Sequence, residues 1–312
     1  MALNPNTTSG LSSHIMSFLE KRFIEHVKKE MFLYDLGMKK VLPKHTGKTV
    51  KWHQWTAISA STTSLTEATS PDGSSLASTA YTATVAGYGQ FVTVSDYLQL
   101  SAINDTMKDA TDLLAYAGAL SIDTLIRNEL DANGTQRYAD PVNNSSKANV
   151  ESGADQIASS DLKLALKALR NGNVPTFSDG LYRGIIHPFM EFSLLSEADA
   201  NEFIILAAHN GSGKNVIEKG EIGTAFGIKL LRSTNVRADA TSTNTYGNII
   251  VGRDAFGVVD LESAQMKMIV KPHGSAGTED PLDQRATVGY KFYFAVKILE
   301  TTRTQVIWAY GS

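Results

Sequence analysis

The chain contains no cysteine. That absence excludes disulfide frameworks, thiolate metal sites and thiol nucleophiles together, and it makes the protein indifferent to redox compartment. No apolar run approaches the ~18 residues of a membrane-spanning helix. The opening MALNPNTTSG carries neither a basic leader nor an apolar core, so no membrane or secretory targeting is expected. Asn-x-Ser/Thr triplets such as Asn144-Ser145-Ser146 then carry no glycosylation meaning.

Catalytic signatures are also missing. No Gly-x-Ser-x-Gly elbow occurs. Gly211-Ser212-Gly213-Lys214-Asn215 imitates half a phosphate loop, but Ala208 stands at the first glycine of the spacing and Asn215 where Ser or Thr would hold Mg²⁺. A flexible loop is the reading that remains. The histidines (His14, His26, His45, His53, His187, His209, His273) never fall at His-x-x-x-His spacing, and His187 and His273 read as structural. Without a complete constellation, no catalytic residue, metal site or cofactor is expected, and the chain reads as a non-enzyme.

The most informative absence is of positive charge: residues 52–107 hold no Lys or Arg. From Met1 to Lys51 there are nine Lys/Arg against four Asp/Glu, a net of +5; from Trp52 to Ser160 there are four against twelve, a net of −8. Neither a basic arm nor an acidic Ser/Thr-rich extension has enough apolar residues to close its own core. Each is expected to satisfy its charge on a neighbour. The overall net charge of −3 predicts no strong nucleic-acid affinity, although the basic arm alone could touch phosphate.

What is present can fold. At 312 residues and 42% apolar, the chain can bury a sizeable core and divide into two domains. Ile15, Leu19, Phe23 and Val27 recur every fourth residue and predict an amphipathic helix over Ser13 to Met31. Lys48 to Trp55 alternates like a half-exposed strand. Around the Pro71-Asp72-Gly73 turn, polar runs over Ser59–Thr66 and Thr69–Thr84 read as a long two-stranded hairpin, and Tyr81 to Val94 regains strand-like alternation. Asp96 to Asn133 predicts one helix, with Ile103, Met107, Ala110, Leu114, Ala117, Leu120, Leu125 and Leu130 on its apolar face. Acidic residues Asp105, Asp109 and Asp112 crowd its first turns, where the helix dipole favours them. A second helix is expected from Ser160, as N-cap, to Arg170, with Gly172 at C′. Beyond it, buried strands are expected at 184–187, 228–231, 248–252 and 268–270. A long strand should then place Tyr290, Phe292, Phe294, Val296 and Ile298 on one face, followed by a last strand over 301–310.

The order of these pieces resembles the major capsid proteins of tailed bacteriophages with the Hong Kong 97-type fold. The likeness is carried by LPKHTGKTVKW (42–52) with Leu65-Thr66-Glu67-Ala68, by YGQFVTVSD (88–96), by Gly184-Ile185-Ile186-His187-Pro188 and by DPLDQRATVGYK (280–291). Together they are similar to the coat proteins of N4-type podophages over roughly residues 15 to 310. The resemblance implies an α+β Hong Kong 97-type capsid fold. It would comprise an N-terminal arm (1–55), an extended β-hairpin loop (56–95), and a peripheral domain with the long spine helix (96–149) and returning strands (265–312), plus an axial domain (150–264). It further implies self-assembly into hexamers and pentamers of an icosahedral head enclosing double-stranded DNA, touched non-specifically. Portal and scaffolding or decoration proteins would be partners, and assembly would take place in the host bacterial cytoplasm.

Members that cross-link their shells use a Lys of the extended loop. This loop has none, so a non-covalent shell is expected. Subunit-interface candidates are Lys39, Lys40, Lys44 and Lys48 on the basic segment, Glu67, Asp72 and Phe91 on the loop, and Asp105 and Asp109 on the helix. A rival reading, an oligosaccharide- or surface-binding module, would exploit the polar hairpin and exposed aromatics Trp52, Trp55 and Tyr88.

Overall fold

The computed structural model describes residues 32–43, 47–65, 67, 70, 72–102, 106–141, 144–150, 153–196, 224–239, 244–261, 266–275 and 280–311. In chain order these form β1 (Met38–Leu42), β2 (Thr49–Trp55), β3 (Ser78–Thr84), β4 (Ala86–Ser95), α1 (Asp96–Ser101), α2 (Thr106–Asn133) and β5 (Thr135–Tyr138). There follow α3 (Ser159–Asn171), β6 (Tyr182–Ile186), α4 (Pro188–Ser196), β7 (Thr224–Ala225), β8 (Ile228–Arg232), β9 (Arg237–Ala238) and β10 (Thr245–Val251). The last strands are β11 (Phe256–Leu261), β12 (Lys267–Lys271), β13 (Arg285–Ile298) and β14 (Thr304–Tyr310). The expected arm helix over Ser13 to Met31 and the Gly211–Asn215 loop lie outside the described residues.

Two larger sheets and one two-stranded ribbon organise the chain. In the first sheet β1 runs parallel to β11, β11 antiparallel to β13, and β13 pairs antiparallel with both β4 and β12. The second runs β5-β14-β10-β6-β8-β7, with β9 beside β10. Strand β13 shows why the first sheet forms where it does. Ala286, Val288, Tyr290, Phe292 and Phe294 alternate inward and are buried, while Arg285, Thr287 and Lys291 point the other way.

The buried face packs on α2, a 28-residue helix about 42 Å long. Small residues Ala115, Gly118 and Ala119 let helix and sheet approach; a Cβ on Gly118 would stand 2.9 Å from Met266 Sδ. The single helix expected over Asp96 to Asn133 is in fact two. Ser95 caps α1 by accepting the Leu98 N–H at 3.3 Å, and the backbone turns extended at Ala102 (ψ 138°). The expected apolar ladder also drifts. Ala115, Ile122 and Ile126 are buried, whereas Leu120 stands exposed.

The long hairpin is corrected as well. Its paired arms are β2 and β3, from Thr49↔Thr84 to Trp55↔Ser78. Beyond the Thr56 N–H bond to the Ala77 carbonyl (2.9 Å), no described residue between 56 and 77 lies in a strand or helix, so among the described residues the polar runs flanking Asp72 form no ladder with each other. At Val85, whose N–H donates to the Lys48 carbonyl (2.8 Å), the chain leaves the ribbon and β4 joins β13 over ten residue pairs. Tyr81 to Val94 is therefore two strands serving two sheets. The ribbon is seated by Val50, Trp52, Ala83 and Val85 against Val259, Ala295 and Leu299. Trp52 lies on Gly257, where any Cβ would be 2.6 Å from the indole.

A separate core joins α3, β6, β8 and α4 through Leu162, Leu166, Leu169, Ile186, Met190, Leu194 and Ile228. Helix α3 starts one residue before the expected cap. The N–H of Ala158, its N-cap, donates to the Asp161 carboxylate at 3.0 Å. At its end Gly172 keeps φ −78°, and the left-handed residue is Asn173 (φ 50°).

Candidate assembly surfaces

Helix α2 covers only one face of the β4–β13–β12 sheet. On the other face the register aligns Arg285, Thr287, Gly289, Lys291 and Tyr293 with Ser95, Thr93, Phe91, Gly89 and Gly87 of β4, and with Lys271, Ile269 and Lys267 of β12. Most of these line an open trough of about 770 Å³. Its character is cationic and apolar together: Lys271, Lys291 and Arg285 surround Phe91, Ile269 and Tyr293. Phe91 is 70% exposed and lies across Gly289, where a Cβ would come within 2.8 Å of the Phe91 Cβ. The Lys291 ammonium sits 5.0 Å from the centre of the Tyr293 ring.

The segment 56–77 has the complementary composition. Glu67 and Asp72 are its only charged residues, and both are exposed. Its aliphatic side chains Ile58, Leu65 and Leu76 are exposed too, as is the neighbouring Trp55 at the end of β2. Apolar groups held this far from their own core are the signature of a surface completed by another molecule.

The basic segment is partly engaged within its own chain. Lys39 Nζ donates to Asp35 Oδ1 at 2.6 Å and stands 4.5 Å from the Tyr34 ring centre. Lys40 Nζ donates to the Lys51 carbonyl at 2.7 Å. Lys48 is exposed, while Lys44 lies outside the described residues, as does Asp105. Asp109 is exposed in the first turn of α2. The expected interface residues that are described thus fall on four surfaces: Lys39, Lys40 and Lys48 near the base of the ribbon, Glu67 and Asp72 on the loop, Phe91 in the trough and Asp109 on α2. Arg285, Lys271 and Ile269, which complete the trough, were not singled out by sequence reasoning. For Arg285 the signal was present in the polar alternation of β13, continued backward from Lys291, whereas Lys271 and Ile269 on β12 enter the trough only through strand pairing.

Trp52 does not join the exposed aromatics that the carbohydrate-binding alternative required, being buried against Gly257. His187 stacks on Tyr246 at 4.0 Å, accepts the Phe189 N–H through Nδ1, and titrates below the usual histidine range because burial disfavours its charged form. His273 Nε2 lies 2.9 Å from Gln99 Oε1. Among the described residues, no three His, Asp or Glu side chains cluster as metal ligands would.

A buried carboxylate anchors the segment that leads into β1. Asp123, on α2, accepts the backbone N–H of Phe32 at 2.9 Å and of Leu33 at 3.3 Å. Burial pushes its pKa from 3.8 up to about 6, outweighing the pull of the Phe32, Leu33 and Tyr34 amides. Farther along α2, Arg237 Nη1 meets Asp131 Oδ2 at 2.6 Å, and Arg127 Nη1 meets Asn235 Oδ1 at 2.9 Å. These contacts tie the helix to the second sheet. Burial still raises the Asp131 pKa despite its arginine.

Residues 80–305 match the family model described as phage capsid protein. No curated protein matches the chain. Its fold is similar to the capsid of cyanophage P-SCSP1u (TM-score 0.67, 15% identity, covering 90% of this chain and 89% of that one). It is also similar to the capsid of Ralstonia phage GP4 (0.66, 14%, 91% and 92%) and to the head of Helicobacter pylori bacteriophage KHP40 (0.65, 12%, 90% and 91%).

Proposed function

The chain belongs to the phage capsid protein family and is a structural major capsid protein of an icosahedral phage head, and from that premise we propose how its surfaces build the shell. The loop 56–77 of one subunit lies in the trough of the next, so that Glu67 and Asp72 meet Lys271, Lys291 and Arg285, while Ile58, Leu65 and Leu76 cover Phe91 and Ile269. The observation that carries this reading is the match of two surfaces, each exposing large apolar side chains and opposite in charge. Lys39, Lys40 and Lys48 of the basic segment face the acidic first turn of a neighbour's α2, at Asp109.

Interfaces of roughly 2,000 Å² or more per subunit supply the cohesion, with no covalent bond, in hexamers and pentamers. On this reading residues 56–95 are the extended loop, 96–149 with 265–312 the peripheral domain built on α2 and β13, and 150–264 the axial domain that contains α3 and α4. Scaffolding or decoration proteins, a portal and packaged double-stranded DNA complete the particle, which is assembled in the host bacterial cytoplasm. Kinship with N4-type coats belongs to the same proposal.

A charge swap tests it. Glu67→Lys with Asp72→Lys should abolish particles seen by electron microscopy, and adding Lys271→Glu with Lys291→Glu should restore them. Particles from the first pair alone, or no rescue by the second, would sink the assignment.

A further inference from the structure

The N-terminal half of α2 carries an uncovered apolar stripe, with Leu113 70%, Tyr116 51% and Leu120 37% exposed. At 3.6 residues per turn these three share one narrow sector, on the side opposite Leu114, Gly118 and Ile122, which face the core. Asp123 lies at the edge between the two faces. There its carboxylate holds the Phe32 and Leu33 amides, and Leu33 is buried. The chain preceding residue 32 therefore starts at the flank of the stripe.

That preceding sequence, 31 residues outside the described ones, repeats an apolar residue at every fourth position: Ile15, Leu19, Phe23, Val27. In helical form the ladder from Ile15 to Val27 is about 18 Å long, and the α2 surface from Asp109 to Leu120 about 17 Å. The five residues linking Val27 to Phe32 span up to about 17 Å, more than the ~10 Å separation of packed helices.

We propose that residues 13–31 dock on this stripe of their own chain as an amphipathic helix parallel to α2, seating Val27 beside Leu120, Phe23 beside Tyr116 and Leu19 beside Leu113. The direction follows from the entry point, because the stripe extends from Asp123 toward the start of α2. Lys21 and Lys28, on the opposite face of the ladder, then point outward, and an apolar stripe becomes a cationic ridge. This inference stands on reach and pattern within one chain and does not depend on how subunits assemble. It replaces docking of this segment on a neighbour, which the charge partition by itself suggests.

Because the chain has no cysteine, disulfide trapping reads the contact directly. Phe23→Cys/Tyr116→Cys is oxidised at low protein concentration beside the control pair Phe23→Cys/Leu164→Cys, Leu164 lying on α3. The expected result is an intrachain disulfide, seen as a single chain of shifted mobility on a non-reducing gel, at least tenfold more abundant than in the control. Disulfide-linked dimers from the first pair would show that a second copy covers the stripe and overturn docking in cis, and equal yields from the two pairs would overturn it as well. As a measurement free of introduced thiols, Leu19→Glu/Phe23→Glu in the full chain should speed proteolysis within residues 1–31 several-fold with α2 intact; an unchanged rate counts against the proposal.

Discussion

Replacing Phe91 by Asp separates the stability of the subunit from that of the shell. In the subunit the ring is 70% exposed and lies over Gly289, so little of it supports the fold. The new carboxylate would lie diagonally across the strands from Lys291, which pairs with Gly89, a contact worth at most ~0.5 kcal/mol. Unfolding of the isolated subunit in urea should therefore change by less than about 1 kcal/mol. In the shell the outcome differs. A Phe side chain offers roughly 200 Å², so burying the exposed share removes about 140 Å² from water, or ~3.5 kcal/mol per subunit. Asp forfeits that gain and adds a desolvated charge costing several kcal/mol more. It also sets a carboxylate against the acidic loop, Glu67 and Asp72. The assay is paired: urea unfolding of subunits followed by circular dichroism, and thermal dissociation of particles followed by light scattering. Variant particles that form normally and dissociate at the wild-type temperature would mean that Phe91 is not in a buried contact, and the trough would lose its role.

Asp123 gives a pH dependence with a definite sign. Its folded pKa of about 6 exceeds the ordinary 3.8, so the folded subunit binds more protons between those values. Its contribution is fully present below pH ~4 and falls by ~3 kcal/mol as pH rises through 6. Asp123→Asn should flatten that slope in urea unfolding between pH 4.5 and 7; an unaltered slope would assign the effect to another group. Gly257→Val should force Trp52 off β11, destabilising the subunit by about 2 kcal/mol and red-shifting tryptophan emission, whereas emission identical to wild type would contradict the close seating of the ribbon. Shells heated in detergent without reductant should run as single 33.7 kDa chains, because the segment 56–95 has no Lys and the chain no Cys; a ladder of multimers would reveal a covalent link.

Local periodicity by itself determined the elements whose signal is confined to neighbouring residues. The alternation from Tyr290 to Ile298 made β13 legible, the apolar runs at 184–187, 228–231 and 248–252 made β6, β8 and β10 legible, and the long acidic-ended helix was legible over most of its length. The charge step at Lys51 was legible too, since charge is carried by residue type alone. What the sequence could not fix was partnership. Strand β4 pairs with β13 nearly two hundred residues away, and a hydrogen-bond ladder uses backbone groups common to every residue, so nothing local says which strand will be met. The helix break at Ala102 was hidden because Tyr97, Leu98 and Leu100 continue an apolar pattern although all three are exposed. The trough was invisible for a related reason. Alternation says that a strand has two faces, but only the docking of α2 on one of them leaves Phe91 and Lys291 exposed on the other.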